Sequence, residues 1–127
     1  MNSNDAISAD VREFLIECID SVAQLEALLL LRGTPQQSWD VPSVAGRLFI
    51  SNEEAGQILS SLVACELVTT DGTIFRYESS DRERQDLIER VSQSYSRFLI
   101  PVTKLIHDKS GRIRKFADAF KFRKEEK

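Results

Sequence analysis

Apolar side chains recur along this chain first at helical spacing, then briefly at strand spacing, then at helical spacing again. Val11, Phe14, Leu15 and Cys18 are separated by three and four residues, which predicts an amphipathic helix opened by Ser8. Ser21 has Gln24 three positions on, the spacing of a capping box, ahead of "VAQLEALLLLR". Val22, Leu25, Leu28 and Leu29 form the inward stripe of this second helix. Leu30 and Leu31 widen the stripe, so the helix is expected to be covered on more than one side. Gly33, Thr34 and Pro35 stop it. The polar loop "TPQQSWD" carries Trp39 and leads to a short helix capped by Asp40, with Pro42 in the first turn, where it is tolerated. Val44, Ala45 and Leu48 turn inward, and "FIS" makes the next turn. Ser51 and Glu54 have capping-box spacing, and the helix they open runs to about Cys65. Its buried face is Ala55, Leu59, Leu62 and Val63 or Cys65, with Ile58 beside it.

The period then changes. "LVTT" and "TIFRY" are rich in β-branched and aromatic residues and flank Asp71-Gly72, a strong hairpin signal. Ser80 or Asp81 caps a last long helical pattern, Arg82 to about Asp108. Along it Leu87, Val91, Tyr95, Phe98, Val102 and Ile106 step by three or four, widened by Ile88, Leu99 and Leu105. Pro101 lies inside this pattern, and its ring clashes with the carbonyl four residues back. A kink, or two helices meeting near Ile100, is therefore expected. After Ser110-Gly111, "RIRKFADAFKFRKEEK" is basic and amphipathic, with Ile113, Phe116, Ala117 and Phe120 on one side.

Charge divides the chain. Residues 1–80 hold four basic and twelve acidic side chains, whereas residues 81–127 hold thirteen basic and eight acidic. The acidic body repels a polyanion; the basic end attracts nucleic acid, acidic lipid or an acidic protein surface. The longest apolar run within a helical pattern, Leu28 to Leu31, is far too short to span a bilayer, and no secretory leader is visible. A cytoplasmic location is the expectation. Cys18 and Cys65 sit among apolar neighbours at helical spacing and read as buried cytosolic thiols, with a disulfide as the alternative. One or the other as a redox sensor is open, although a buried thiol is inert unless its pKa is lowered.

The order helix, helix, short turn, helix, hairpin resembles the winged helix-turn-helix superfamily of prokaryotic transcription regulators. The resemblance spans about residues 20–78 and is carried by "SVAQLEALLLLR", "VPSVAGRLFISNEEAGQILSSLVACELV" and "TTDGTIFRY". It implies a mainly α chain: a winged helix-turn-helix domain with its N-terminal helix over 1–80, and a small β-hairpin wing at 69–77. A long, Pro-kinked C-terminal helix or helix pair over 81–109 and a basic tail over 110–127 would follow. It also implies that helix 51–65 enters the major groove of double-stranded DNA while the wing touches backbone or minor groove. Carried onto this chain, the DNA-binding residues would be Arg47, Asn52, Glu53, Gln57, Ser60, Thr73 and Arg76, with Gly56 and Thr70 nearby. Asn and Gln pair with adenine edges, Glu accepts from cytosine, and Ser serves either. The expected reading helix, however, has no Lys or Arg from Asn52 to Val68. Phosphate neutralisation supplies most non-specific affinity. The same fold used as a protein-interaction or assembly module is therefore the alternative.

In such regulators, helices outside the motif commonly make a dimer. A homodimer through Leu87, Val91, Tyr95, Phe98, Val102 and Ile106 is expected on that ground; a monomer whose last helix closes the core is the alternative. In the tail, Arg112, Arg114, Lys115, Arg123 and Lys124 interleave with phenylalanines, a pattern that fits nucleic acid, an anionic membrane, a partner's groove or the protein's own body. With His107 the only histidine, and no phosphate loop or catalytic motif, neither an enzyme nor a metal or cofactor site is expected.

Overall fold

Side-chain caps fix where most of the helices begin. In the computed structural model, which describes residues 7–78 and 81–109, the elements are α1 (Ala9–Cys18), α2 (Val22–Gly33), α3 (Val41–Leu48) and α4 (Asn52–Ala64). They are followed by β1 (Val68–Thr70), β2 (Phe75–Tyr77) and α5 (Arg82–Arg97), and residues 99–109 form a further helix, α6. Asp40 and Ser43 make a reciprocal capping box at α3, with Pro42 in the first turn. Ser51 Oγ accepts from the Glu54 N–H at 3.0 Å to start α4, and Asp81 does the same for Glu83 at the start of α5. At α2, Ser21 Oγ accepts from the Gln24 N–H, but the Gln24 side chain reaches past Ser21. It accepts from the Asp20 N–H at 2.9 Å and donates to the Cys18 carbonyl at 2.8 Å. Gln24 is buried, and by satisfying these groups it welds the start of α2 to the end of α1.

One apolar cluster joins all of these helices. Leu15, Ile19, Leu25, Leu28, Leu31, Leu59, Leu62 and Leu67 are sealed at its centre. The same cluster takes in Ile88 and Val91 from α5 and Val102 and Ile106 from α6. The C-terminal helices thus fold back on α1 and α2 within one chain. Polar contacts fix them there: Arg90 pairs with Asp10, Arg32 with Glu89, and the Tyr95 hydroxyl donates to Glu26 at 2.6 Å. At the end of α6, Lys109 Nζ donates to the Ile19 carbonyl at 3.0 Å and pairs with Asp20 at 3.0 Å. A cation at the carbonyl end of α1 complements the helix dipole.

Of the kink or helix pair expected near Ile100, the chain forms the pair, α5 and α6. The chain leaves α5 at Phe98 (φ −127°, ψ 54°), whose carbonyl then accepts from the Val102 N–H at 3.0 Å. Pro101 therefore sits in the first turn of α6, where an N–H would have no helical partner to lose.

The hairpin pairs β1 with β2 antiparallel, in the register Val68 to Tyr77, Thr69 to Arg76 and Thr70 to Phe75. Its connection is the four residues 71–74. Asp71 closes it by accepting from the N–H groups of Thr73 and Ile74, each at 2.9 Å, while Gly72 takes φ 107°. Trp39, expected in a loop, is buried and forms an antiparallel bridge with Phe75, which gives the hairpin a third, one-residue edge. The architecture is mainly α with helices flanking both sides of a small hairpin, the topology of a winged helix-turn-helix fold.

Candidate nucleic-acid interface

The turn between α3 and α4 is built without glycine. Phe49 ends α3 in the left-handed region (φ 58°, ψ 44°), and the Ile50 N–H reaches back to the Ala45 carbonyl at 3.0 Å. A left-handed non-glycine residue is uncommon and costs about 1–2 kcal/mol. Ile50 is half-buried beside the core, which fixes the angle between the helices, and Phe49 is left 95 % exposed. α4 ends in a matching motif: Glu66 is left-handed (φ 63°), and Leu67 N–H bonds back to Leu62 at 3.1 Å. This turns the chain directly into β1.

All seven residues expected at DNA are exposed. Arg47 lies in the last turn of α3; Asn52, Glu53, Gln57 and Ser60 lie along α4; Thr73 is in the hairpin connection and Arg76 is on β2. Thr70 is exposed as well, whereas Gly56 is half-buried. Arg76 is held by a hydrogen bond to Ser38 Oγ in the strip that ends at Trp39. Glu54, also exposed, donates its backbone N–H to the Ser51 cap.

The electrostatics of this face are mixed. Arg47 and Arg76 are its two exposed cations, and Glu53, Glu54 and Asp71 are exposed anions. The backbone N–H groups of Ile74 and Thr73 hold the Asp71 carboxyl below its usual range, so the wing tip is anionic at neutral pH.

The expected dimer seam is placed differently from the DNA face. Val91, Val102 and Ile106 are at most 1 % exposed and are covered by this chain's own helices; Leu87, Tyr95 and Phe98 are half-buried. Fully burying one such side chain is worth about 1.5–3 kcal/mol. Freeing three of them would cost a large part of the 5–15 kcal/mol typical of a domain. Apolar side chains still exposed lie at the α5–α6 junction, Leu99 at 52 % and Ile100 at 75 %. The tail residues Arg112, Arg114, Lys115, Arg123 and Lys124 lie outside the described residues.

Phe49, Trp39 and Ser38 were not singled out from the sequence as residues of this face. The signals were present: an aromatic residue in a turn where glycine is common, and a lone tryptophan in a polar loop. Among the described residues, no group of three or more His, Cys, Asp or Glu is placed to hold a metal ion. Likewise, no helix among them is long and apolar enough to cross a membrane. Comparison of the chain with protein-family models, with curated proteins and with solved structures gives no match, so any functional reading rests on this geometry.

Proposed function

We propose that this chain is a DNA-binding transcription regulator acting as a homodimer, with α4 in the major groove and the hairpin along the neighbouring backbone. The observation that carries the reading is the joint exposure of Arg47, Asn52, Glu53, Gln57, Ser60, Thr73 and Arg76 on the three elements a winged helix presents to DNA. In this reading Arg47 and Arg76 meet phosphates, Asn52 and Gln57 pair with adenine, Glu53 accepts from cytosine, and Ser60 serves either base edge. Thr73 approaches the backbone from the wing. Two cations per subunit give weak attraction, so the site depends on doubling contacts in a dimer and on charge from the basic tail. The dimer contact is proposed at Leu99 and Ile100 rather than at the buried seam.

The second reading is a winged-helix module that docks on a protein. It is favoured by the excess of exposed carboxylates over cations on this face and by Phe49, which presents an aromatic ring to solvent. A titration against duplex DNA at two salt concentrations separates the readings, because phosphate contacts release counterions and contacts to a protein need not.

A further inference from the structure

Two thiols distant in sequence meet where α1 and α4 end. Cys18 is the last residue of α1, and Cys65 caps the C-terminus of α4. The Cys65 Sγ lies 4.0 Å from the Cys18 carbonyl oxygen, across 47 positions of sequence. Both are free and half-buried, so a small oxidant has access to them. Arg84 of α5 closes the cluster. Its guanidinium donates to the Cys65 carbonyl, while its buried Nε–H has no acceptor among the described residues. A half-buried guanidinium with an unused N–H beside a thiol pair is a ready counter-charge for a thiolate.

We propose that Cys18 and Cys65 form a reversible disulfide, closed by a hydroperoxide, that locks the end of α1 to the end of α4. The inference does not depend on what the exposed face of α4 binds. Arg84 donates to the Cys65 carbonyl, and burial, then the neighbouring Cys65 thiol, pushes the Cys18 thiol up to about 12; in this scheme Cys65 meets the oxidant first. The Cys65 sulfur gives up its proton and attacks hydrogen peroxide; an S–O bond forms, the O–O bond breaks, and the leaving hydroxide takes that proton to become water. The Cys18 sulfur then attacks the Cys65 sulfur. The S–S bond forms, the S–O bond breaks, and hydroxide leaves with the Cys18 proton as a second water. Two thiols are oxidised by two electrons and one peroxide is reduced. Thiol reductants reverse the step.

The test is to treat the reduced, folded chain with hydrogen peroxide, denature it in an alkylating agent, and record intact mass and non-reducing mobility. The expected product is a single chain lighter by about 2 Da, with neither cysteine alkylated. Its melting point is expected to rise by about 10 °C, a gain that dithiothreitol removes. Two alkylated cysteines, sulfinic acid as the main product, or disulfide-linked chain pairs would overturn the proposal. Cys18→Ser should leave a sulfenic acid at Cys65 that dimedone traps, whereas Cys65→Ser should leave Cys18 unreactive. The reverse pattern would overturn the assigned order. The wild-type mass carries the test even where a variant folds poorly.

Discussion

The backbones of Trp39 and Phe75 pair in both directions: the Trp39 N–H donates to the Phe75 carbonyl at 2.9 Å, and the Phe75 N–H donates back at 2.6 Å. The Trp39 indole is buried and donates Nε1–H to Thr34 Oγ1 at 3.0 Å. A two-stranded ribbon alone is marginal in water. This pair anchors the wing to the segment between α2 and α3, and so sets where Arg76 stands relative to α4.

Trp39→Ala should therefore destabilise the chain by about 3–5 kcal/mol, the usual range for emptying a buried tryptophan site. Trp39→Phe keeps most of the packing but removes the donor to Thr34 Oγ1, whose hydroxyl still donates to the Leu30 carbonyl, and should cost about 0.5–1.5 kcal/mol beyond the volume lost. Urea unfolding followed by circular dichroism measures both. A loss in Trp39→Phe no larger than its lost volume accounts for would mean the indole N–H matters little.

Phe49 is held in a conformation that favours glycine, while its ring covers nothing in this chain. Phe49→Gly should leave stability unchanged or raise it by up to about 1 kcal/mol, since removing the left-handed strain offsets the added freedom of the unfolded chain. If the ring is kept for a partner, the same variant loses binding while its melting point holds. A clear drop in melting temperature would show that the ring packs within the fold after all.

Tyr95 is half-buried, and its hydroxyl donates to Glu26. Burial, and then the Glu26 carboxylate, raise its pKa from 10.0 to about 12. The folded value lies above the unfolded one. The stability it contributes is thus complete below pH 10 and is lost as pH rises from about 10 through about 12. Tyr95→Phe should flatten the alkaline limb of the stability curve over that window and leave the curve near neutral pH lower by no more than about 1 kcal/mol. Ultraviolet titration of phenolate absorbance, run on folded and urea-unfolded samples, checks the shift.

Much of the fold was legible because caps are local. Ser21, Asp40, Ser51 and Asp81 each start a helix where their spacing to the next donors predicts it. The order of elements, and with it the fold class, followed from those starts and from Asp71-Gly72. Long-range choices were harder to read. The stripe of Val91, Val102 and Ile106 says that one face is covered, but not whether its own chain or a second copy covers it. Pro101 announced a break, yet its place was set by Phe98, three residues earlier, because proline needs a first turn. The hairpin was expected from Asp71-Gly72, but the Asp71 side chain captures two further N–H groups and widens the connection to four residues. Trp39 and Phe49 were missed for opposite reasons: one aromatic residue in a polar loop is buried, and one beside a core helix is not. The seven residues of the candidate interface were placed by likeness to a fold, and their shared exposure is compatible with that placing without testing what they touch.

The proposed dimer has a local signature. Leu99→Ser with Ile100→Ser removes the exposed apolar corner without touching the core. In sedimentation equilibrium the wild-type chain should be dimeric at micromolar concentration and the double variant monomeric, with equal helix content. A wild-type monomer throughout that range would remove the dimer from the mechanism.

Whether the α3–α4 face and wing meet DNA is tested most directly by fluorescence anisotropy of duplex fragments against the folded chain across a range of salt. Binding should weaken linearly in log–log form as salt rises. Arg47→Ala with Arg76→Ala should lower affinity about tenfold for all sequences and reduce the slope by about two per subunit, while Gln57→Ala should change sequence preference instead. Absence of salt-dependent binding by the folded chain of residues 1–127 would contradict the DNA reading and leave the protein-docking one standing.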